Sequence, residues 1–156
     1  MITSQYFRIN LLRDNGKGCL ALRIIQLHRI QTPTGDIFVF DGERFDFPIR
    51  RVYFTRNVKV GEVRGHHAHR TLEQILVCPY GSVLVSIDDG RGNTVEHKLT
   101  KPEKALFVGP CQWHTMTWLD KDSVLLVFAS NRYDERDYIR DYEEFIQAVK
   151  ERDECV

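Results

Sequence analysis

Apolar and polar positions alternate along most of the chain in short runs separated by turn signals. Leu20–Ile30 is apolar and basic by turns and predicts one strand. Thr32–Asp36 (TPTGD) carries both Pro and Gly and predicts a turn. Ile37–Phe40 is a short β-branched and aromatic run. Phe45–Pro48 leads into Ile49–Thr55 (IRRVYFT), a segment of strand composition. Val58–Val63 predicts a further strand, followed by RGHHAHR. Glu73–Val77 is apolar, and Pro79-Tyr80-Gly81 turns the chain. Ser82–Ile87 (SVLVSI) predicts a strand ended by Asp88-Asp89-Gly90, a hairpin signal from which Thr94–Leu99 returns. Lys104–Val108 and Ser123–Ala129 add two more. Strands at this spacing with turns between them predict an all-β sandwich or barrel.

The period changes near the end. Tyr138, Tyr142, Phe145, Ile146 and Val149 recur at spacings of three and four. They mark one face of an amphipathic helix over Glu135–Lys150, capped by Asp134. No repeat, low-complexity stretch or linker divides the chain. The reading is one domain, 1–156, with an N-terminal arm at 1–25, a barrel at 26–134 and the helix at 135–150. An NGKG turn at Asn15–Gly18 falls within the arm.

Composition narrows the function. A chain of 156 residues is the size of one domain and buries a core without disulfide staples. Lys plus Arg equal Asp plus Glu at 22 each, which argues against nucleic-acid or membrane binding. A local group of arginines facing a small anion remains compatible with that balance. Cys19, Cys78, Cys111 and Cys155 are scattered without a CxxC pair, which fits reduced thiols and not a disulfide framework or zinc knuckle. The opening MITSQYFRIN lacks the apolar core of a signal peptide, and no apolar run approaches the ~20 residues of a membrane span. The expectation is a soluble, cytoplasmic protein.

The chemistry concentrates in Arg64-Gly65-His66-His67-Ala68-His69. On a strand, alternate residues share a face, so His67 and His69 point together and His66 points away. Imidazoles suit proton transfer near neutral pH. Gly61, the HxH pair, Glu73 and Gly81 approximate a cupin metal motif, with His114 after Gly109-Pro110 as a further ligand. The glycine usual after that proline is absent. Arg51 and Tyr53 share one face of their strand, where they suit phosphate binding and polarisation of a substrate oxygen. Trp113 lies in a Pro-Cys-Gln-Trp-His loop and suits either stacking or core packing. Tyr133 and Arg140 stand out in a tail rich in Tyr and Arg.

These segments in order resemble a family. IRRVY, RGxHAH, SIDDG, the Pro-x-x-Trp loop and LVFAS-x-x-YDE-x-DYIRDYEEF are similar to the dTDP-sugar 3,4-ketoisomerases, small cupins of deoxyamino-sugar biosynthesis. The likeness runs from about Asp36 to Phe145. It implies a double-stranded β-helix (a jelly-roll barrel), a homodimer exchanging N-terminal strands, and a dTDP-4-keto-6-deoxyhexose substrate. The implied reaction moves the carbonyl from C4 to C3 without cofactor or metal. The resemblance gives His67 the role of ring-carbon base, His69 that of proton shuttle and Tyr53 that of a pocket phenol. Arg51 and Arg64 are placed to hold the pyrophosphate; Gln74, Trp113, Tyr133 and Arg140 complete the expected substrate contacts. The chain departs from relatives at Arg70, at Glu73 and at His114-Thr115, where Arg-Glu is more usual. Three other readings stay open on the residues: a metal-dependent cupin using His67, His69, Glu73 and His114, a 3,5-epimerase, and a non-catalytic sugar-nucleotide-binding module.

Overall fold

The computed structural model describes residues 22–41 and 45–154. Most of the arm predicted for 1–25, with its turn, lies outside the described residues. The chain runs through β1 (Arg23–Gln26), β2 (His28–Thr32), β3 (Gly35–Val39), β4 (Arg51–Thr55), β5 (Val63–His69) and β6 (Gln74–Tyr80). It continues through β7 (Val83–Asp88), β8 (Thr94–Leu99), β9 (Lys104–Val108), β10 (Trp113–Trp118) and β11 (Val124–Ala129). A 3₁₀ turn (Glu135–Asp137), β12 (Tyr138–Ile139) and α1 (Tyr142–Glu154) follow. One sheet has the order β1-β9-β6-β11-β4, the other β12-β5-β10-β7-β8, and β2 pairs with β3 alone. The architecture is the expected all-β cupin barrel with a C-terminal helix.

Alternation builds the core. β7 turns Val83, Val85 and Ile87 inward, where they meet Leu99 and Trp118 of their own sheet. Leu76, Cys78, Leu106, Val108, Leu125 and Val127 reach them from the facing sheet. Each buried Val, Leu or Ile side chain contributes about 1.5–3 kcal/mol. β6 is buried on both faces, because Ile75 and Val77 pack outward against Phe45, Phe47 and Phe128. That double burial explains its unbroken apolar run. On the far side, Phe145 and Val149 of α1 cover Ala68 and Ile139. The β7–β8 turn touches the same helix: a Cβ on Gly90 (φ +71) would lie 2.9 Å from Val149 Cγ2.

Four predicted boundaries change. The strand over Leu20–Ile30 breaks at Leu27, whose N–H donates to the Glu103 carbonyl (2.7 Å), so β1 joins the large sheet and β2 turns into a hairpin. Of Val58–Val63 only Val63 is in a strand, since the chain turns between Lys59 and Glu62. The predicted Trp113 loop is strand β10, paired on both sides by β5 and β7. The helix predicted from Glu135 begins at Tyr142, with Asp141 accepting from the Glu144 N–H (2.8 Å). Tyr138 and Ile139 pair instead with His69 and Ala68, so sheet pairing overrides a helical period. Asp134 still caps, but it caps the 3₁₀ turn. No helix among the described residues is long and apolar enough to cross a membrane.

Candidate active site

At one end of the barrel the apolar filling gives way to imidazoles. β5 carries a bulge: Gly65 and His66 have φ of +98° and +54°, and pairing to β10 slips between His114 and Thr115. Glycine is required at the first position, because a Cβ on Gly65 would sit 2.7 Å from the His114 carbonyl oxygen. Beyond the bulge the period of two resumes. His67 and His69 face inward and His66 stays exposed, as the alternation predicted. The register sets His114 of β10 opposite His67.

The His67 ring lies 5.0 Å from His69 and 4.6 Å from His114, centroid to centroid. One nitrogen of each of the three falls within 4.8 Å of the others. His69 Nδ1 donates to Asp137 Oδ2 (3.1 Å), and His114 Nδ1 donates to the Gln112 carbonyl (3.1 Å). Each bond leaves Nε2 without a proton. His69 Nε2 and His67 Nδ1 are buried without a well-aligned hydrogen bond. Burial lowers all three imidazoles. His67 falls below its usual range, opposed by the Gly65 backbone. His69 falls to about 4 through burial and its neighbour His67, with Asp137 opposing. His114 falls to about 3 through burial and His67. All three are therefore neutral bases at pH 7.

Two clefts open onto this cluster and share the Tyr138 ring. One, about 480 Å³, is lined by Tyr53, Thr55, Arg64, His67, Met116 and Arg140, among others. The other, about 550 Å³, is lined by Arg51, His69, Arg70, Arg132, Tyr133 and Asp137, among others. Tyr53 is 37% exposed as a residue, yet its phenol is pushed up to about 12, chiefly by burial. The hydroxyl is thus held protonated, a donor toward the cleft, while it accepts from Gln74 Nε2 (3.2 Å).

The predicted residues fall into three groups. His67, Tyr53, Arg64 and Arg140 line one cleft, and His69, Arg51 and Tyr133 line the other. Gln74 is 2% exposed and acts behind Tyr53 rather than on the cleft surface. Trp113 lines neither of these two clefts; it packs edge-on to Tyr142 (5.2 Å) and beside Phe145 (5.6 Å), contacts that favour core packing over the expected substrate contact. Its strand places it on the helix-facing side of β10, next to inward-facing His114. Glu73 is not part of the histidine cluster; its backbone N–H donates to Ser130 Oγ and its carbonyl accepts from the Ser130 N–H. The four-ligand set with Glu73 is therefore not assembled.

Sequence reasoning missed Asp137 and Tyr138. Asp137 also accepts from the Thr71 N–H (2.8 Å), the Thr71 hydroxyl (2.7 Å) and the Leu72 N–H (3.3 Å), so its carboxylate is fixed. Tyr138 lies 4.3 Å from the His69 ring and 5.1 Å from His67, with the Arg140 guanidinium over its ring (4.4 Å). Both belong to the YDE-x-DY run, whose helical spacing hid a strand.

Comparison with known proteins places the chain among relatives of the same fold. The family described as "FdtA: WxcM-like, C-terminal" matches residues 21–150. The TDP-4-oxo-6-deoxy-alpha-D-glucose-3,4-oxoisomerase of Aneurinibacillus thermoaerophilus is 41% identical over 125 residues, covering 79% of this chain and 88% of that protein. A His-to-Asn variant of the 3,4-ketoisomerase QdtA from Thermoanaerobacterium thermosaccharolyticum, solved with TDP-4-keto-6-deoxyglucose, is 33% identical with a TM-score of 0.80. That likeness covers 84% of this chain and 95% of that one. A 3,4-ketoisomerase from Helicobacter canadensis is 34% identical, TM-score 0.79, over 83% of this chain and 97% of its own. The chain belongs to this FdtA-like family of sugar-nucleotide 3,4-ketoisomerases.

Proposed function

We propose that the protein converts a TDP-linked 4-keto-6-deoxyhexose into its 3-keto isomer, with His67 and His69 as the proton carriers. The observation that carries this reading is the pair of neutral inward-facing imidazoles, 5.0 Å apart, beside open clefts and a protonated Tyr53. A sugar bound there has its C3 hydrogen within reach of one base and its O3 and O4 near the other. His67 takes the C3 proton. The C3–H electrons form the C3–C4 double bond, and the C4 carbonyl oxygen takes a proton, giving an enediol. His69 then removes the O3 proton as C4 is protonated, so O3 becomes the carbonyl. C3 is oxidised as C4 is reduced, and the reaction balances without an external oxidant. Tyr53 donates to the developing oxyanion, which in a desolvated site is worth several kcal/mol. Positioned acid–base groups contribute about 10²–10⁴-fold each.

Arg51 and Arg64 lie on different clefts, so one of them faces the pyrophosphate while the other frames the sugar end. Arg51, Arg70, Arg132 and Arg136 make the His69 cleft the more cationic, which favours it for the diphosphate. Gln74 supports Tyr53, and Tyr133 and Arg140 border the ligand. A homodimer fits the apolar outer residues of edge strand β4, Val52 (53% exposed) and Phe54 (62% exposed). A cytoplasmic place in deoxysugar assembly for surface glycans such as lipopolysaccharide or S-layer chains fits a nucleotide-sugar substrate.

The test is incubation with dTDP-4-keto-6-deoxyglucose in deuterated water, followed by NMR of the hexose. The 3-keto product with deuterium at C4 is expected, and the His67→Asn variant should lose turnover while keeping its melting temperature. Unchanged sugar without deuterium at C3 or C4 overturns the proposal. Change at C5 would assign the protein to epimerisation instead, and nucleotide-linked stabilisation without turnover to a binding role.

A further inference from the structure

His67 and His69 come from one strand and His114 from its neighbour, so three imidazoles meet at one point of the barrel wall. The two deeply buried rings are each held from behind. Asp137 accepts from His69 Nδ1, and the Gln112 carbonyl accepts from His114 Nδ1. A carbonyl cannot donate, so the His114 proton is on Nδ1 and its Nε2 lone pair is free. The same holds for His69, which is 2% exposed and whose Nε2 is buried with no hydrogen-bond partner. A carboxylate or carbonyl behind an imidazole, with the far nitrogen bare, is the arrangement that orients histidines toward a metal ion.

We propose that His67, His69 and His114 form a binding site for a divalent transition metal such as zinc, cobalt or nickel, and that its occupation stops isomerisation. Three imidazoles without a carboxylate select these borderline cations over magnesium and calcium. Metal–imidazole bonds of about 2.0–2.1 Å need ligand nitrogens closer together than 4.8 Å. Closing on an ion therefore takes small movements of the rings, and His67, the least buried of the three, has the most room to turn toward the other two. His67 also lines the open 480 Å³ cleft, which supplies the entry path and room for a water as fourth ligand. The inhibitory half rests on the proton-transfer reading above: a nitrogen lone pair bound to metal cannot take the C3 proton. Apo enzyme is then the active form, and free zinc competes with substrate.

The test uses full-length apo protein titrated with cobalt(II) chloride alone and followed by visible d–d absorption, with zinc affinity taken from competition. One cobalt per chain with an intense tetrahedral band is expected. His69→Ala and His114→Ala should each abolish the band. Asp137→Asn keeps all three ligands and should weaken cobalt binding about 10–100-fold. Circular dichroism confirms that each variant is folded, and the Asp137 variant serves if either alanine variant is not. In parallel, zinc should suppress ketoisomerase turnover at one equivalent, and EDTA should restore it. No stoichiometric cobalt band overturns the site, as does a band that survives both alanine substitutions. A cobalt band with turnover untouched by saturating zinc overturns the inhibition. The absorption readout does not depend on turnover, so failure of the ketoisomerase reading would leave the metal site standing or falling by itself.

Discussion

Asp137 Oδ2 accepts a hydrogen bond from the His69 Nδ1–H at 3.1 Å, across 68 positions of sequence. The same carboxylate holds both the backbone and the hydroxyl of Thr71, so it cannot swing away from the ring. The contact fixes the tautomer that leaves His69 Nε2 without a proton. Asp137→Asn is expected to lower kcat by about 10²-fold or more with the smaller change in KM, because it alters the partner of the proposed proton carrier His69. Asp137→Ala also strips partners from Thr71 and Leu72 and is expected to destabilise by about 1–3 kcal/mol. Steady-state kinetics with urea unfolding of both variants checks the split. Equal effects on KM and kcat from the asparagine variant would contradict it.

Burial of the three imidazoles sets a pH dependence. His67 titrates below 6.5 in the folded enzyme, so it stays a neutral base across the neutral range. The kcat/KM profile is expected to be flat from pH 8 to about 6.5 and to fall at lower pH. Stability follows the same direction. In the unfolded chain His69 and His114 bind protons near pH 6.5, whereas in the folded chain they do so near 4 and 3. Between those values the unfolded state holds more protons, so stability falls as pH falls. The slope approaches ~1.4 kcal/mol per pH unit for each imidazole. Urea midpoints at pH 7, 6 and 5 measure it; a constant midpoint would refute the buried neutral histidines.

The inward pair His67 and His69 was legible because a period of two needs only two positions. The β7–β8 hairpin was legible because Asp88-Asp89-Gly90 carries its own turn chemistry: Asp89 accepts from the Arg91 and Asn93 N–H groups. What the sequence concealed is long-range. Tyr138, Tyr142, Phe145, Ile146 and Val149 do share a helical spacing, yet Tyr138 is drawn into a sheet by pairing with His69. Helix α1 claims the remaining four. β10 follows the Gly109-Pro110 turn signal closely, which drew Trp113 into a loop, although Thr115 and Thr117 alternate with His114, Met116 and Trp118 as a strand does and β5 and β7 pair it on both sides. Arg64 and His67 would lie on opposite faces of a regular strand. The extra residue at the Gly65–His66 bulge brings both to one cleft, and no local signal in composition announces a bulge.

Trp113 is a residue whose chemistry suits a ligand and whose contacts favour packing. It packs on Tyr142 and Phe145 and joins the cluster that seats α1. Trp113→Ala is expected to destabilise by about 2 kcal/mol, below the range for a fully buried indole because this one is half-buried. Its KM is expected to match the parent. A ring stacked on a base or sugar would instead raise KM by roughly 5- to 150-fold, from ~1–3 kcal/mol of stacking. Parallel thermal melts and KM measurements separate the two.

Gly65 tests how far the site depends on the bulge. Its φ of +98° is strained for any residue with a side chain, and the added carbon would press to 2.7 Å from the His114 carbonyl and 3.1 Å from Thr115 Cα. Both contacts are backbone, so neither yields by a rotamer change. Gly65→Ala must therefore shift β5 against β10 or flatten the bulge. Flattening moves the residues before it by one position and turns Arg64 away from the His67 cleft. The variant is expected to lose more than about 1 kcal/mol of stability and to lose activity out of proportion to that loss at temperatures where it remains folded. Retained kcat and KM, with only a lower melting temperature, would mean that the His67–His114 register withstands a change in the bulge that sets it.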